Sequence, residues 1–163
     1  MTNITIRKVQ LEDLDCIAKI EAVCFPEAEA APRESFKKRI TAFPDSFLVA
    51  ETAENIIGFI NGCVTNSPVI YDELYHNTQH HIPDGKNLTV FGLDVMPKYR
   101  RQGVAAQLMQ HFIQTAKNAG RKGVILTCKD RLIHYYESFG YINNGISKST
   151  HGNAQWFDMT LVL

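Results

Sequence analysis

The stretch VFGLDVMPKYRRQGVAA, Val90–Ala106, carries most of the information in this chain, because it reads as a strand feeding a turn that opens a helix. Leu88 to Val95 are β-prone, and Gly92 lies inside the run where a bulge or a close backbone approach needs a missing side chain. Pro97 ends the strand. Beyond it, Val104, Leu108, Phe112 and Ala116, flanked by Ala105, Met109 and Ile113, recur at helical spacing. The first amides of a helix have no internal acceptor and lie at the positive end of its dipole. Gly103 and Ala105 leave room for close approach, so a pyrophosphate could accept several backbone hydrogen bonds there, with Arg100 and Arg101 adding charge. A nucleotide-type cofactor is the first ligand this order of elements suggests. Arg/Gln-x-x-Gly-x-Gly/Ala is a weak pattern by itself; strand, proline, turn and long amphipathic helix in sequence give it weight.

Composition narrows the rest. The 163 residues suit one domain, 1–163, with a substantial core, and 45% hydrophobic with 21% charged residues is ordinary for a globular protein. Seventeen basic residues balance seventeen acidic ones, so no global field draws the chain to nucleic acid or an anionic membrane. Cys16, Cys24, Cys63 and Cys128 form no Cys-x-x-Cys pair and no metal-ligand spacing, which fits reduced thiols in a cytoplasmic protein. The N-terminal residues lack the apolar core of a signal peptide, and no apolar run approaches the roughly 20 residues of a membrane span.

Ile4 and Ile6 suggest a first strand, followed by a short helix with Leu14, Ile17, Glu21 and Cys24 on one face and Ile20 beside it. Pro26 interrupts that helix, and Pro32 suits the first turn of another presenting Phe36 and Ile40. Ser46–Glu51 and Ile56–Val64 read as a hairpin, and Asn66–Lys86 as a long polar excursion. After the turn and its helix, Gly120 reads as a C-cap, Val124–Cys128 as a strand, and Arg131 onward as a short helix capped by Asp130 and stopped by Gly140. Tyr141–Ser147 and Trp156–Leu163 close the chain as a hairpin. The resulting order, β-α-α-β-β-β-α-β-α-β-β, is not a simple doubly wound alternation.

The Val90–Ala106 segment resembles the acetyl-CoA-binding motif of the GNAT superfamily of N-acyltransferases, with Arg100, Gly103 and Ala105 at its defining positions and Ala105 replacing the commoner glycine. Leu126–Tyr141 resembles the superfamily's strand and helix ending in aromatic-x-x-Phe-Gly-aromatic. Both runs look most like arylalkylamine N-acetyltransferase and its bacterial relatives, and the likeness extends from about residue 3 to the C-terminus. The resemblance implies an α/β (α+β) fold with a mixed, mostly antiparallel central sheet, flanked by helices and splayed between its fourth and fifth strands. The thioester arm of acetyl-CoA would lie in that V. It also implies transfer of an acetyl group to a primary amine by direct attack in a ternary complex. Leu93, Val95, Arg100, Arg101, Gln102, Gly103, Val104, Ala105 and Ala106 are then the expected cofactor contacts.

Amide formation from a thioester needs a neutral amine, a polarised carbonyl and a proton for the departing thiolate. A bulge around Gly92–Val95 could turn a backbone amide toward the carbonyl oxygen. Tyr136 stands where the family places its general acid toward coenzyme A sulfur, although its spacing also suits packing beside Leu132 and Phe139. Asp94, between Leu93 and Val95, is either a half-exposed strand carboxylate or a group that holds an ammonium and relays its proton. The relatives' His-x-His pair falls on Thr89 and Phe91, neither of them a base, which leaves Asp94, Glu27, Glu29, His134, His151 or water. Phe25, Glu27, Glu29 and Phe91 would suit a cationic acceptor with an apolar tail. His76, His80 and His81 resemble half a metal site but lie in a polar loop, and no metal is assigned. Two other readings use the same surface: a non-catalytic acyl-CoA sensor, and an acetylase of protein N-termini or lysines.

Overall fold

Two runs expected to be single strands are each broken at or beside a glycine, and the breaks divide the sheet. In the computed structural model, which describes residues 3–163 and so leaves the first two residues of the expected domain outside, the elements run as follows. β1 is Thr5–Lys8, α1 Leu14–Cys24, α2 Arg33–Ala42, β2 Phe47–Glu51, β3 Ile56–Asn61, β4 Val64–Thr65 and α3 Asp72–His76. Then come β5 Asn87–Val90, β6 Gly92–Val95, α4 Val104–Asn118, β7 Gly123–Cys128, α5 Ile133–Glu137, β8 Ile142–Ile146 and β9 Phe157–Val162. The run Ile56–Val64 breaks at Gly62, where an ideal Cβ would lie 1.7 Å from the Thr89 carbonyl oxygen, so a side chain would prevent the two chains from crossing. The run Leu88–Val95 breaks at Phe91.

One sheet has the order β1-β2-β3-β6 and the other β4-β5-β7-β9-β8. β5 pairs with β7 in parallel, Asn87–Val90 against Gly123–Leu126, while every other pair is antiparallel. Past Phe91 the chain leaves β7 and pairs with β3 instead, Asp94 opposite Phe59 and Leu93 opposite Ile60. The chain that carries β5 and β6 is the expected fourth strand and β7 the expected fifth, so the V opens where the resemblance put it. Backbone bonds from Thr89 N to Cys63 O at 2.9 Å and from Phe91 N to Asn61 O at 2.7 Å hold the apex together.

Helices cover both faces. Leu108, Met109 and Phe112 of α4 are fully buried against Ile57, Ile60, Leu88 and Val124, the core-facing stripe expected from its spacing. On the opposite face α1 and α2 bury Ile17, Ile20 and Phe36 against Phe47, Val49 and Phe59. Phe36 meets the Phe47 and Phe59 rings edge-on at 6.2 and 5.5 Å. Deleting such a ring typically costs about 3–5 kcal/mol, so these contacts fix α2 against the first sheet. The excursion 66–86 is not a plain loop: Leu74 of α3 and Ile70 just before it pack onto Phe43, Cys63 and Ile125. No helix among the described residues is long and apolar enough to cross a membrane.

Candidate active site

The V between β6 and β7 holds a cavity of about 900 Å³. The turn Pro97–Gly103 forms one end. Arg101 has φ +61° and Gly103 +83°, a left-handed pair that aims the first turn of α4 into the cavity. An ideal Cβ at Gly103 meets nothing within 4 Å, so glycine is required there by backbone conformation, and the open space beyond it is available to a ligand. Gly103, Val104, Ala105 and Ala106 all line the cavity, and the first-turn amides have no intrahelical acceptor. Arg100 and Arg101 line it too. Arg100, read from sequence as added charge, is otherwise engaged: its Nε donates to Val95 O at 3.0 Å and its Nη2 to Cys24 Sγ at 3.5 Å, tying the turn to β6 and α1. Gln102 does not line the cavity; its exposed amide donates to Lys98 O at 3.2 Å and closes the turn on itself.

Leu93 and Val95 form the β6 wall, and Leu126 and Cys128 the β7 wall. Where β5 passes into β6, the sheet hydrogen bonding changes partner, and Phe91 and Gly92 both line the opening. Tyr136, on α5, lines the same space and is nearly buried. Its ring stands edge-on to Tyr135 at 5.3 Å and to Tyr141 at 5.9 Å. Burial, with the nearby Cys128 thiol, Tyr135 and Asp94, pushes its phenol far above the ordinary value near 10. Tyr136 is therefore a protonated donor throughout the working pH range, and packing and cleft-facing roles coincide in it.

Asp94 corrects one sequence alternative. It is not half-exposed: it is 1% exposed, lies behind the cavity wall, and carries two oxygens with no hydrogen-bond donor. Burial, then the adjacent Glu21 charge, raise its pKa well above the carboxylate range. Glu21, on α1, lines the cavity; its Oε2 accepts from Ala31 N at 2.8 Å and its buried Oε1 has no partner. Between these carboxyls and α3 lies Arg39, 4% exposed, donating to Asn61 Oδ1 and Tyr75 O, both at 3.0 Å, and sandwiched by the faces of Phe91 and Phe36 at 4.7 and 5.3 Å.

The far end of the cavity is assembled from three separate loops. Phe25 and Glu29 line it from the α1–α2 connection, whereas Glu27 is exposed and does not. Lys129 pairs with Glu29 at 2.8 Å and lies 5.6 Å from the Trp156 ring centroid. His151 Nε2 donates to Glu29 O at 2.9 Å. Its ring stacks on Tyr75 at 5.2 Å, and Tyr75 in turn meets Phe91 at 5.0 Å and shares a hydrogen bond with Thr127 Oγ1 at 2.9 Å. Burial pushes the Tyr75 phenol up to about 12. Asp72 of α3 accepts from Ser149 Oγ and Thr150 N, fastening the excursion to the 147–153 segment. Of the two histidines kept as alternative bases, His151 lines the cavity. His134 is fully exposed beside Glu137 and stands outside it.

Glu21, Arg39, Tyr75, Thr127, Lys129 and Trp156 were not assigned a role by sequence reasoning. For two of them a signal was present: Glu21 sits on the apolar stripe of α1, and Arg39 falls three residues after Phe36 on the buried side of α2. The three histidines of the excursion do not converge. His81 Nδ1 accepts from Val64 N, His80 pairs with Tyr71 and Glu73, and His76 faces His151. Among the described residues no group of three His, Cys, Asp or Glu side chains could hold a metal ion.

With a splayed mixed sheet, a left-handed turn aiming helix amides into the V, and a tyrosine on the opposite wall, the class of protein is defined. The chain belongs to the acetyltransferase (GNAT) family, whose sequence profile matches residues 14–141. It is 30% identical over 142 residues to the "Probable hydrolase YhcX" of Bacillus subtilis (strain 168), covering 80% of this chain and 27% of that protein. It is 29% identical over 104 residues to "N-acetyltransferase 8" of Homo sapiens, covering 62% of this chain and 40% of that one. The match thus spans 27% of the length of one relative and 40% of the other. The structure of the GphF GNAT-like decarboxylase in complex with isobutyryl-CoA superposes with a TM-score of 0.84 at 20% identity, over 97% of this chain and 98% of that one.

Proposed function

We propose that this protein is an acyl-CoA-dependent N-acyltransferase, with acetyl-CoA the donor and a small primary amine the acceptor. The observation that carries this reading is the turn Arg101–Ala106, whose left-handed residues direct unpaired helix amides into a cleft that also presents Tyr136. The isobutyryl-CoA held by the GphF protein and the name of N-acetyltransferase 8 support a thioester donor and an amine acceptor, respectively.

In this reading the diphosphate rests on the amides of Gly103 to Ala106, with Arg101 adding charge, while Leu93 and Val95 offer backbone to the pantetheine arm. Gln102 shapes the turn. The amine attacks the thioester carbon in a ternary complex, the C–N bond forms, and the C–S bond breaks. A backbone amide at the β5–β6 break bears on the carbonyl oxygen as it gains charge. Tyr136 donates a hydrogen bond to the leaving sulfur. Its elevated pKa makes full proton transfer to a thiolate near 8.5 unfavourable, so stabilisation of the developing charge is its main contribution.

A small acceptor is favoured over a polypeptide by the clasp of three loops at the far end: Asp72 on Ser149 and Thr150, and Glu29 on Lys129 and His151. Phe91, Phe25, Tyr75 and Trp156 suit an apolar tail. The test is thiol release from acetyl-CoA across a panel of alkyl- and arylalkylamines, lysine peptides and peptides with free N-termini. Turnover confined to small amines supports the reading. Faster turnover of peptides overturns the acceptor class, and acetyl-CoA binding without turnover of any acceptor would favour the sensor.

A further inference from the structure

Glu21 and Asp94 make an unusual pair. They are 7% and 1% exposed, yet Glu21 Oε1 and both Asp94 oxygens have no donor, and neither residue is bonded to the buried guanidinium of Arg39, whose donors serve Asn61 and Tyr75. One cation beside two carboxyls is neutral only when the pair keeps one proton. That proton resides on Asp94, where burial and the Glu21 charge both favour the neutral acid. The pair borders the cleft where a side chain is missing. An ideal Cβ at Gly92 would lie 3.1 Å from Asp94 Oδ1, 3.7 Å from Asn61 Nδ2 and 3.8 Å from Glu21 Oε1, so three unpartnered polar atoms surround the space a methyl would fill. Gly92 and Glu21 themselves line the cavity.

We propose that Glu21 takes the proton from the acceptor ammonium through the window left by Gly92, with Asp94 as the positioning residue that steadies Glu21 Oε1. The proposal rests on the amine-transfer reading and names the base that reading lacks. The ammonium gives one proton to the carboxylate of Glu21, and the free amine attacks. After C–N formation the second nitrogen proton leaves to solvent while the sulfur gains one, and Glu21 returns its proton to solvent. The sum is ammonium plus thioester giving amide, free thiol and one proton. Charge in the cleft is conserved in the first step, since the positive substrate and the negative pair neutralise each other together. The groups facing the pair are Cys24 from α1, Arg39 from α2 and Tyr136 from α5, and Arg39 in turn faces Tyr75 from α3 and Cys63 beside the strand break.

The experiment measures kcat, KM and the pH profile of kcat/KM for acetyl transfer to the best amine of the panel. Glu21→Gln should lower kcat by about 100-fold, the scale of a lost general base, with KM for acetyl-CoA within about twofold. Its residual rate should climb toward the amine's own pKa. Gly92→Ala keeps both carboxyls but covers the window; alanine is conformationally allowed because Gly92 is not among the positive-φ residues, and kcat should fall about tenfold with the same change of profile. Asp94→Asn, which keeps a donor for Glu21, should retain most activity, whereas Asp94→Ala should shift the profile. Wild-type rates and an unchanged profile in both Glu21→Gln and Gly92→Ala would overturn the proposal. The shared proton is read independently of turnover by infrared spectroscopy of the protein alone. A protonated-carboxyl stretch that vanishes in Asp94→Asn supports the pair, and its absence from the wild type overturns it even if amines are acetylated.

Discussion

The two ends of the cleft are built on opposite plans. The end proposed to hold the donor is local: β6, the turn and the start of α4 come from the unbroken stretch Val90–Ala106, and it presents backbone amides positioned by Arg101 and Gly103. The acceptor end is assembled from side chains far apart in sequence, with 100 residues between Glu29 and Lys129 and 122 between Glu29 and His151. A backbone cradle tolerates little variation in conformation and is indifferent to what the acyl group is given to. A side-chain clasp can be rebuilt without disturbing the donor end, so the proposed reading puts specificity there.

The largest effect that tests this contrast is expected at the donor end. Gly103→Trp forces a side chain onto φ +83° and fills the open space in front of the helix amides. Acetyl-CoA affinity should fall by about 100-fold or more, equivalent to roughly 2.7 kcal/mol. Calorimetry on the folded variant decides it, and unchanged affinity would mean that the phosphates bind elsewhere. Next in size, Tyr136→Phe should reduce kcat by about 10- to 100-fold while leaving acetyl-CoA affinity nearly intact, because the lost hydrogen bond strengthens only as sulfur gains charge. Full activity would reduce Tyr136 to its packing against Tyr135 and Tyr141.

The same contrast explains what could be read from the chain. The donor end follows from local pattern: apolar spacing from Val104 to Ala116 gives α4, and Gly120, at φ +74°, closes it. The breaks at Gly62 and Phe91 were visible only as glycines within or near β-prone runs, since nothing local says which neighbour each half of the strand will choose. α3 is five residues long with one buried apolar residue, Leu74, too short to show a period. Tyr75, Thr127 and His151 have no sequence relation to one another, so their stacking and hydrogen bonding could not be anticipated. Glu21 was legible in part. A carboxylate on an apolar helix stripe marks either an error of periodicity or a buried charge with a purpose, and its partner Asp94 shows the same anomaly on a strand.

Opening the acceptor clasp should have a smaller and more selective effect. Asp72→Ala removes two hydrogen bonds that fasten α3 to Ser149 and Thr150, worth about 1 kcal/mol each. KM for the amine should rise by about 5- to 10-fold, KM for acetyl-CoA should not move, and bulkier amines should lose least. Steady-state kinetics with both substrates varied checks this, and an equal rise in both constants would show that the two ends are not independent.

The smallest effect is on stability, and its sign separates a built-in functional cost from ordinary packing. The folded pKa of Asp94 is raised, so its contribution to stability is fully present below the unfolded value near 4 and is lost as pH rises through the folded value. Asp94→Asn keeps the shape and a donor toward Glu21 but cannot ionise. Its melting temperature relative to wild type should therefore increase from about pH 4 upward, at about 2–4 °C for each kcal/mol. Thermal unfolding of both proteins across pH 4–9 in the absence of ligands measures the difference. A gap that is constant with pH would mean that Asp94 does not change protonation on folding, and one that narrows as pH rises would mean that it is held ionised; either result removes the buried proton from beneath Gly92.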